Sequence, residues 1–136
     1  MNNKDKPKLT RTGPSIIVGN VTMSYDFKGR FTIPREMCPE TDYYFQRGQE
    51  ISLEVYPSSR FTAIAEAVML MGKYSPERRE FLTETDFARK DKLNRVLTPK
   101  RMRAVLGFDE GETGLVRLTG NGNHILVTKV KPAESH

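Results

Sequence analysis

The hydrophobic residues of the chain follow two periods, and each period predicts a different kind of element. An alternation with polar or small residues, typical of a half-buried strand, runs through Val21, Met23 and Tyr25. Two further apolar segments, from Tyr43 to Phe45 and from Ile51 to Tyr56, flank a glycine-containing turn and predict a β-hairpin.

A helical period follows, in which apolar residues recur at intervals of three and four: Phe61, Ile64, Ala65, Val68 and Met69. This stripe predicts an amphipathic helix that reaches about Met71 and buries one face in the core or between subunits. Ser75 is expected to cap a second helix that starts at Pro76 and ends near Thr83. Further along, Asn121-Gly122 lies between apolar strands and is a strong hairpin signal.

Two stretches of the chain read as copies of one unit. The first covers residues 26–37, and the second, residues 91–102, begins 65 residues later. Asp, Arg, Pro and Met recur in register, and Arg35 of the first copy becomes Lys100 in the second. A repeat at this distance indicates two tandem units rather than a solenoid. Each copy predicts a strand, a tight turn, a second strand and a short helix.

The turn of each copy has a residue suited to positive φ. Asp26 opens the first turn, where its carboxylate can accept hydrogen bonds from amides further on. Gly29 supplies positive φ without steric cost, and its equivalent Asn94 is one of the few other residues that tolerate this region. We therefore expect the same turn geometry in both copies.

A short helix is expected after each turn. Pro34 would begin the first, where its missing N–H does no harm. In the second copy Thr98 would cap the helix, Pro99 would take its first position, and Gly107 would end it in the left-handed conformation.

Each turn presents two cations and is closely followed by a third, and these side chains could meet phosphates and groove edges. The candidate DNA-binding residues are Lys28, Arg30, Arg35, Lys92, Arg95 and Lys100. The alternative is that they are ordinary solvated charges, with each arginine clamping its own aspartate. Arg101 and Arg103 are expected to be solvated charges on the helix.

The charge distribution favours a polyanionic partner. The net charge is +5 and the pI is about 9.4. The segment from Arg89 to Arg103 holds seven lysines and arginines against the single acid Asp91. Such clustering is an electrostatic footprint for nucleic acid.

Other classes of function find little support in the sequence. No run of about 18 apolar residues predicts a membrane span, and the basic N-terminal segment lacks the apolar stretch of a signal peptide. A single cysteine, Cys38, is compatible with a reducing cytoplasm and is expected to be a small buried filler. His124 has no second ligand at metal spacing. We therefore expect no catalytic residues, no metal and no cofactor.

The first motif, Asp-x-Lys-Gly-Arg-x-x-Ile-Pro at residues 26–34, resembles the core of SpoVT/AbrB-type swapped-hairpin DNA-binding domains. Two such units in one chain resemble the MraZ family, regulators of the division and cell-wall gene cluster. Other segments that resemble the family are Val18-Gly19, Leu53 to Pro57, Ser75 to Arg79 and Val116 to Gly120. The resemblance covers roughly residues 16–131.

This resemblance implies an α+β fold in which two tandem swapped-hairpin units form a small β-barrel core with flanking helices. The expected division is a disordered basic arm (1–15), a first unit (16–59), linking helices (60–86), a second unit (87–131) and a tail (132–136). The implied assembly is a homo-oligomeric ring.

The expected function is sequence-specific binding of double-stranded DNA, with several subunits engaging short repeated sites as a cytoplasmic, nucleoid-associated transcriptional regulator. Three alternatives stay open. An RNA- or ribosome-associated protein would share the basic turns. An antitoxin-type AbrB-like regulator would share the fold, and a small enzyme would need a catalytic constellation that the sequence does not show.

Overall fold

The computed structural model describes residues 16–131, so the predicted basic arm and the tail lie outside the described residues. The described part is an α+β structure of eight strands and three helices. The strands are β1 (Asn20–Tyr25), β2 (Arg30–Thr32), β3 (Asp42–Arg47), β4 (Leu53–Pro57), β5 (Asp86–Arg89), β6 (Arg95–Leu97), β7 (Gly114–Gly120) and β8 (Ile125–Lys129). The helices are α1 (Ser58–Met69), α2 (Pro76–Thr83) and α3 (Lys100–Leu106).

The eight strands form one antiparallel sheet in the order β5-β3-β4-β8-β7-β1-β2-β6. The two outermost strands, β5 and β6, are consecutive in the chain and are joined by a tight turn in which the Asp91 amide donates to the Arg95 carbonyl. The sheet is therefore a nearly closed barrel, which confirms the predicted small barrel with helices beside it and leaves few exposed sheet edges.

The two halves of the chain, β1 to β4 and β5 to β8, occupy equivalent places in the barrel. Replacing each strand by its equivalent in the other half leaves the set of neighbouring strands unchanged. Strand β1 of the first half pairs with β7 of the second, and β5 of the second half pairs with β3 of the first. The remaining contacts between halves join β2 to β6 and β4 to β8. Each half thus completes its sheet with strands of the other, which gives the barrel an approximate two-fold relation.

The centre of this relation lies at the β2–β6 pair. Phe31 is opposite Val96, and both side chains are almost fully buried. These two residues are equivalent positions of the repeat. The core extends from them through the inward-facing residues of the other strands, among them Tyr43, Phe45, Val55, Val116 and Ile125. Alternation along each strand places the polar neighbours of these residues on the outside.

Most of the predicted elements are confirmed, and α2 matches its prediction residue for residue. Ser75 accepts a hydrogen bond from the Arg78 amide as its N-cap, and Pro76 is the first helical residue. Helix α1 has the predicted period, but Phe61 is its only fully buried residue and Met69 is exposed. The rest of the stripe is only partly covered within the single chain.

The predicted first short helix is wrong. The Met37 and Cys38 amides donate to the Pro34 carbonyl, which makes one turn and no more. Pro39 explains the early end, because it has no N–H to continue the ladder and disfavours helical dihedrals in the residue before it.

The second short helix forms, but its start was predicted wrongly. Pro99 is the N-cap, Lys100 is the first helical residue, and Thr98 is buried without a capping role. Gly107 ends α3 with φ 99°, as predicted.

Candidate nucleic-acid interface

The two hairpin turns, residues 26–30 and 91–95, have the same hydrogen bonds at equivalent positions. In the first turn the Asp26 carboxylate accepts from the amides of Lys28 and Arg30, at 3.0 and 2.8 Å. In the second turn Asp91 accepts from the amides of Leu93 and Arg95, at 2.8 and 3.0 Å. The repeat in the sequence is therefore a repeat in backbone geometry.

The residues predicted to have positive φ do so. Gly29 has φ 88° and Asn94 has φ 63°. The carbonyl of each then accepts a hydrogen bond from the opposite copy. The Thr98 amide donates to Gly29 at 2.8 Å, and the Ile33 amide donates to Asn94 at 2.9 Å. Each turn is thereby held against the strand end of the other half.

Each candidate arginine is clamped by its own aspartate. The Arg30 Nε lies 2.7 Å from Asp26 Oδ2, and the Arg95 Nε lies 2.9 Å from Asp91 Oδ2. The side chains of Arg30 and Arg95 are 26% and 30% exposed, so both remain accessible to solvent. Among the described residues, the terminal nitrogens of both guanidinium groups have no hydrogen-bond partner.

The aspartates stay ionised because the turn donates to them. Burial alone would raise the pKa of Asp26, but hydrogen bonds from Arg30 and Lys28 outweigh burial and leave that pKa lowered. The pKa of Asp91 is lowered chiefly by the hydrogen bond from the Arg95 amide. Because the charged carboxylate accepts from Nε, it fixes the orientation of the guanidinium group. The N–H groups of the two terminal nitrogens are left available to other acceptors.

The two arginines share one face of the β2–β6 pair. Arg30 is opposite Leu97, and Arg95 is opposite Thr32. Because Phe31 and Val96 between them point into the core, these four residues lie on the outer face. Arg30 and Arg95 are diagonal neighbours, whose Cβ atoms are typically about 7–8 Å apart in such a pair.

The four other predicted cations are exposed near this face. Lys28 and Lys92 lie in the turns, where each tip also exposes an apolar residue, Phe27 or Leu93. The two lysines are not at equivalent positions of the repeat, because Lys28 corresponds to Leu93. Arg35 and Lys100 are equivalent and follow the two strands.

Sequence reasoning missed two further cations that contact the opposite half of the chain, Lys90 and Arg103. Lys90 is buried, with Nζ 2.8 Å from the Cys38 carbonyl and 5.7 Å from the centre of the Tyr43 ring. Burial lowers the pKa of Lys90, and nearby Arg35 lowers it further. Arg103, predicted to be solvated, is instead partly buried against Gly29. Both contacts join different halves of the chain, so no local pattern could have shown them.

Two other basic residues of the segment from Arg89 to Arg103 form ion pairs with nearby aspartates. Arg101 lies 2.7 Å from Asp86, and Arg89 lies 2.7 Å from Asp42. The prediction that Arg101 is a solvated surface charge agrees with its exposure. In the part of the chain that the structure describes, no group of three potential metal ligands occurs, and no helix has the length and apolar character needed to cross a membrane.

Comparison with known proteins gives related sequences, although no protein-family model matches the chain. A protein named transcriptional regulator MraZ from Corynebacterium efficiens is 35% identical over 69 residues, which are 49% of this chain and 48% of that protein. A MraZ of Nocardia farcinica is 31% identical over 60% of this chain and 61% of its own length.

A third relative, transcriptional regulator MraZ of Corynebacterium diphtheriae, is 29% identical over 101 residues, 70% of this chain and 71% of its own length. The chain spans about half to three-fifths of the length of the first two relatives. All five matches bear the same name. The chain is thus similar, over about half to 70% of its length, to proteins named transcriptional regulator MraZ.

Proposed function

We propose that the chain is a transcriptional regulator that binds double-stranded DNA sequence-specifically, using the outer face of the β2–β6 pair. The observation that supports this most is the pair of aspartate-clamped arginines on one exposed face. A two-stranded ribbon fits the major groove of B-DNA, and an arginine with free terminal nitrogens can donate to both guanine acceptors. The named function of the relatives supports the same class.

The other candidate cations have a positioning role in this proposal. Lys28, Lys92, Arg35 and Lys100 would contact phosphates, which fix the register of the protein on the duplex without reading bases. The approximate two-fold relation between the turns matches the local symmetry of duplex DNA. Arg30 and Arg95 would then contact base edges on either side of a local dyad.

We further propose that residues 16–59 and 87–131 are two swapped-hairpin units joined by linking helices. The exchange of β1 and β5 between the halves supports this division. The exposed apolar residues of the helical region support assembly into a homo-oligomeric ring, because such patches mark interaction surfaces. They are Met69, Leu70, Met71, Tyr74 and Leu82. Several copies could then engage repeated sites, and avidity would strengthen modest single contacts.

The test is selection of bound sequences from a random duplex library, followed by affinity measurements on the selected site, a scrambled duplex and the same sequence as duplex RNA. The proposal expects a strong preference for the selected DNA. Equal affinity for selected and scrambled DNA would overturn sequence specificity. Tighter binding to the RNA would favour the RNA-associated alternative.

A further inference from the structure

Arg103 lies across the backbone of the first turn. Its Nε donates to the Thr98 carbonyl at 2.9 Å, and the Thr98 amide donates to the Gly29 carbonyl at 2.8 Å. A Cβ atom on residue 29 would lie only 2.7 Å from that Nε. The guanidinium of α3 is therefore in contact with the turn of the other half, at a place that only glycine leaves open.

The charge of Arg103 has no acidic partner among the described residues. Five other cations, by contrast, form ion pairs with carboxylates: Arg30, Arg89, Arg95, Arg101 and Lys129. Burial raises the pKa of the Tyr25 hydroxyl, and the positive charge of Arg103 opposes that rise. A partly buried cation without a counter-ion is electrostatically costly unless it meets an anion from outside the chain.

The second turn has no cation at the repeat position equivalent to Arg103. That position is Cys38, which is buried and carries no basic group. Lys90 supplies a charge nearby, but its ammonium group is directed to the Cys38 carbonyl and the Tyr43 ring. The two turns are thus similar in backbone and different in charge.

We propose that Arg103 contacts a DNA phosphate beside the first turn and makes that turn the stronger of the two anchors. This inference rests on the proposed DNA-binding function. Nε is engaged by the Thr98 carbonyl, which leaves the terminal nitrogens to donate to phosphate oxygens as a planar fork. Neutralisation by phosphate supplies the counter-ion that the chain itself lacks. The second turn, with Cys38 at the equivalent position, makes one phosphate contact fewer.

The experiment compares Arg103→Gln and Arg103→Lys with Arg101→Gln on the selected duplex. Arg101 is a matched control because it lies on the same helix but is already paired with Asp86. Affinity is measured at several salt concentrations, and the slope of log K against log salt is read. Loss of one phosphate contact makes that slope less negative by about 0.9. We expect this change for Arg103→Gln, and the parental slope for Arg103→Lys and Arg101→Gln.

A purely structural role for Arg103 would lower affinity by the same factor at every salt concentration, and that result would overturn the proposal. Thermal melting checks that each variant folds, and Arg103→Met replaces Arg103→Gln if the latter does not. Ethylation interference gives an independent readout. Modification of one phosphate should weaken the parent but not Arg103→Gln, and identical interference patterns would also overturn the proposal. If the parent itself shows no salt-dependent duplex binding, the proposed function fails instead.

Discussion

Exchange of the two positive-φ residues tests whether Arg103 really lies on the first turn. Gly29→Asn keeps a residue that tolerates positive φ, so the dihedral cost is small. Its Cβ, however, would lie 2.7 Å from the Arg103 Nε and must push the guanidinium away from Thr98. Asn94→Gly introduces no such contact, because it removes a side chain and adds none.

The expected cost of Gly29→Asn is about 1–2 kcal/mol of unfolding free energy. A hydrogen bond from a charged group contributes about 1.5–3 kcal/mol, and partial exposure of Arg103 places its bond at the lower end. The arginine can also swing outward, which limits steric strain. Asn94→Gly should change the free energy of unfolding by less than about 1 kcal/mol, since only backbone entropy and a partly exposed side chain are involved.

Urea denaturation of both variants, with and without Arg103→Ala, isolates the interaction as a double-mutant cycle. The cost of Gly29→Asn should largely disappear in the Arg103→Ala background. Asn94→Gly should have the same small effect in both backgrounds. An unchanged cost of Gly29→Asn after removal of Arg103 would refute the contact between the helix and the turn.

Three further predictions concern the turns and the assembly. Because the pKa values of Asp26 and Asp91 are lowered in the folded chain, their contribution to stability is complete above the ordinary value of 3.8 and is lost as pH falls through the folded values. The Asp26→Asn/Asp91→Asn variant should therefore lose less stability between pH 6 and pH 2 than the parent, as urea titrations would show, and equal losses would contradict this origin. Arg30→Ala and Arg95→Ala should each reduce discrimination between selected and scrambled duplexes by about 1–3 kcal/mol; a uniform loss on both duplexes would assign them to phosphates instead. Light scattering should give a mass several times 15.5 kDa, and Leu70→Asp should reduce it, whereas a monomeric parent at micromolar concentration would refute the ring.

The local geometry of the turns was predictable because it depends on a few residues close together in sequence. Asp26, Gly29 and Asn94 each have a backbone preference that the fold does not override. The same holds for Ser75, whose side chain and following proline fix the start of α2. The helix after Pro34 was predicted wrongly because Pro39, little more than one turn later, lacks an N–H and disfavours helical dihedrals at Cys38.

The contacts between the halves could not be predicted from local patterns. Periodicity indicates which side of a strand is buried but not which strand lies beside it, so the pairings β1–β7 and β3–β5 emerge only in the fold. The partners of Arg103 and Lys90 depend on those pairings. Both residues belong to a charge-rich segment that is typical of a solvated surface, although Lys90 is buried and Arg103 is in contact with the first turn.

The most direct test of the account is duplex binding by the parent and by the Arg30→Ala/Arg95→Ala variant over a range of salt concentrations. The account predicts that log K of the parent falls linearly with log salt on the selected site. It also predicts that the variant, while still folded, binds selected and scrambled duplexes alike. A parent whose affinity does not change with salt, or a variant that keeps the parental preference for the selected site, would contradict the proposal that the paired arginines of β2 and β6 read DNA.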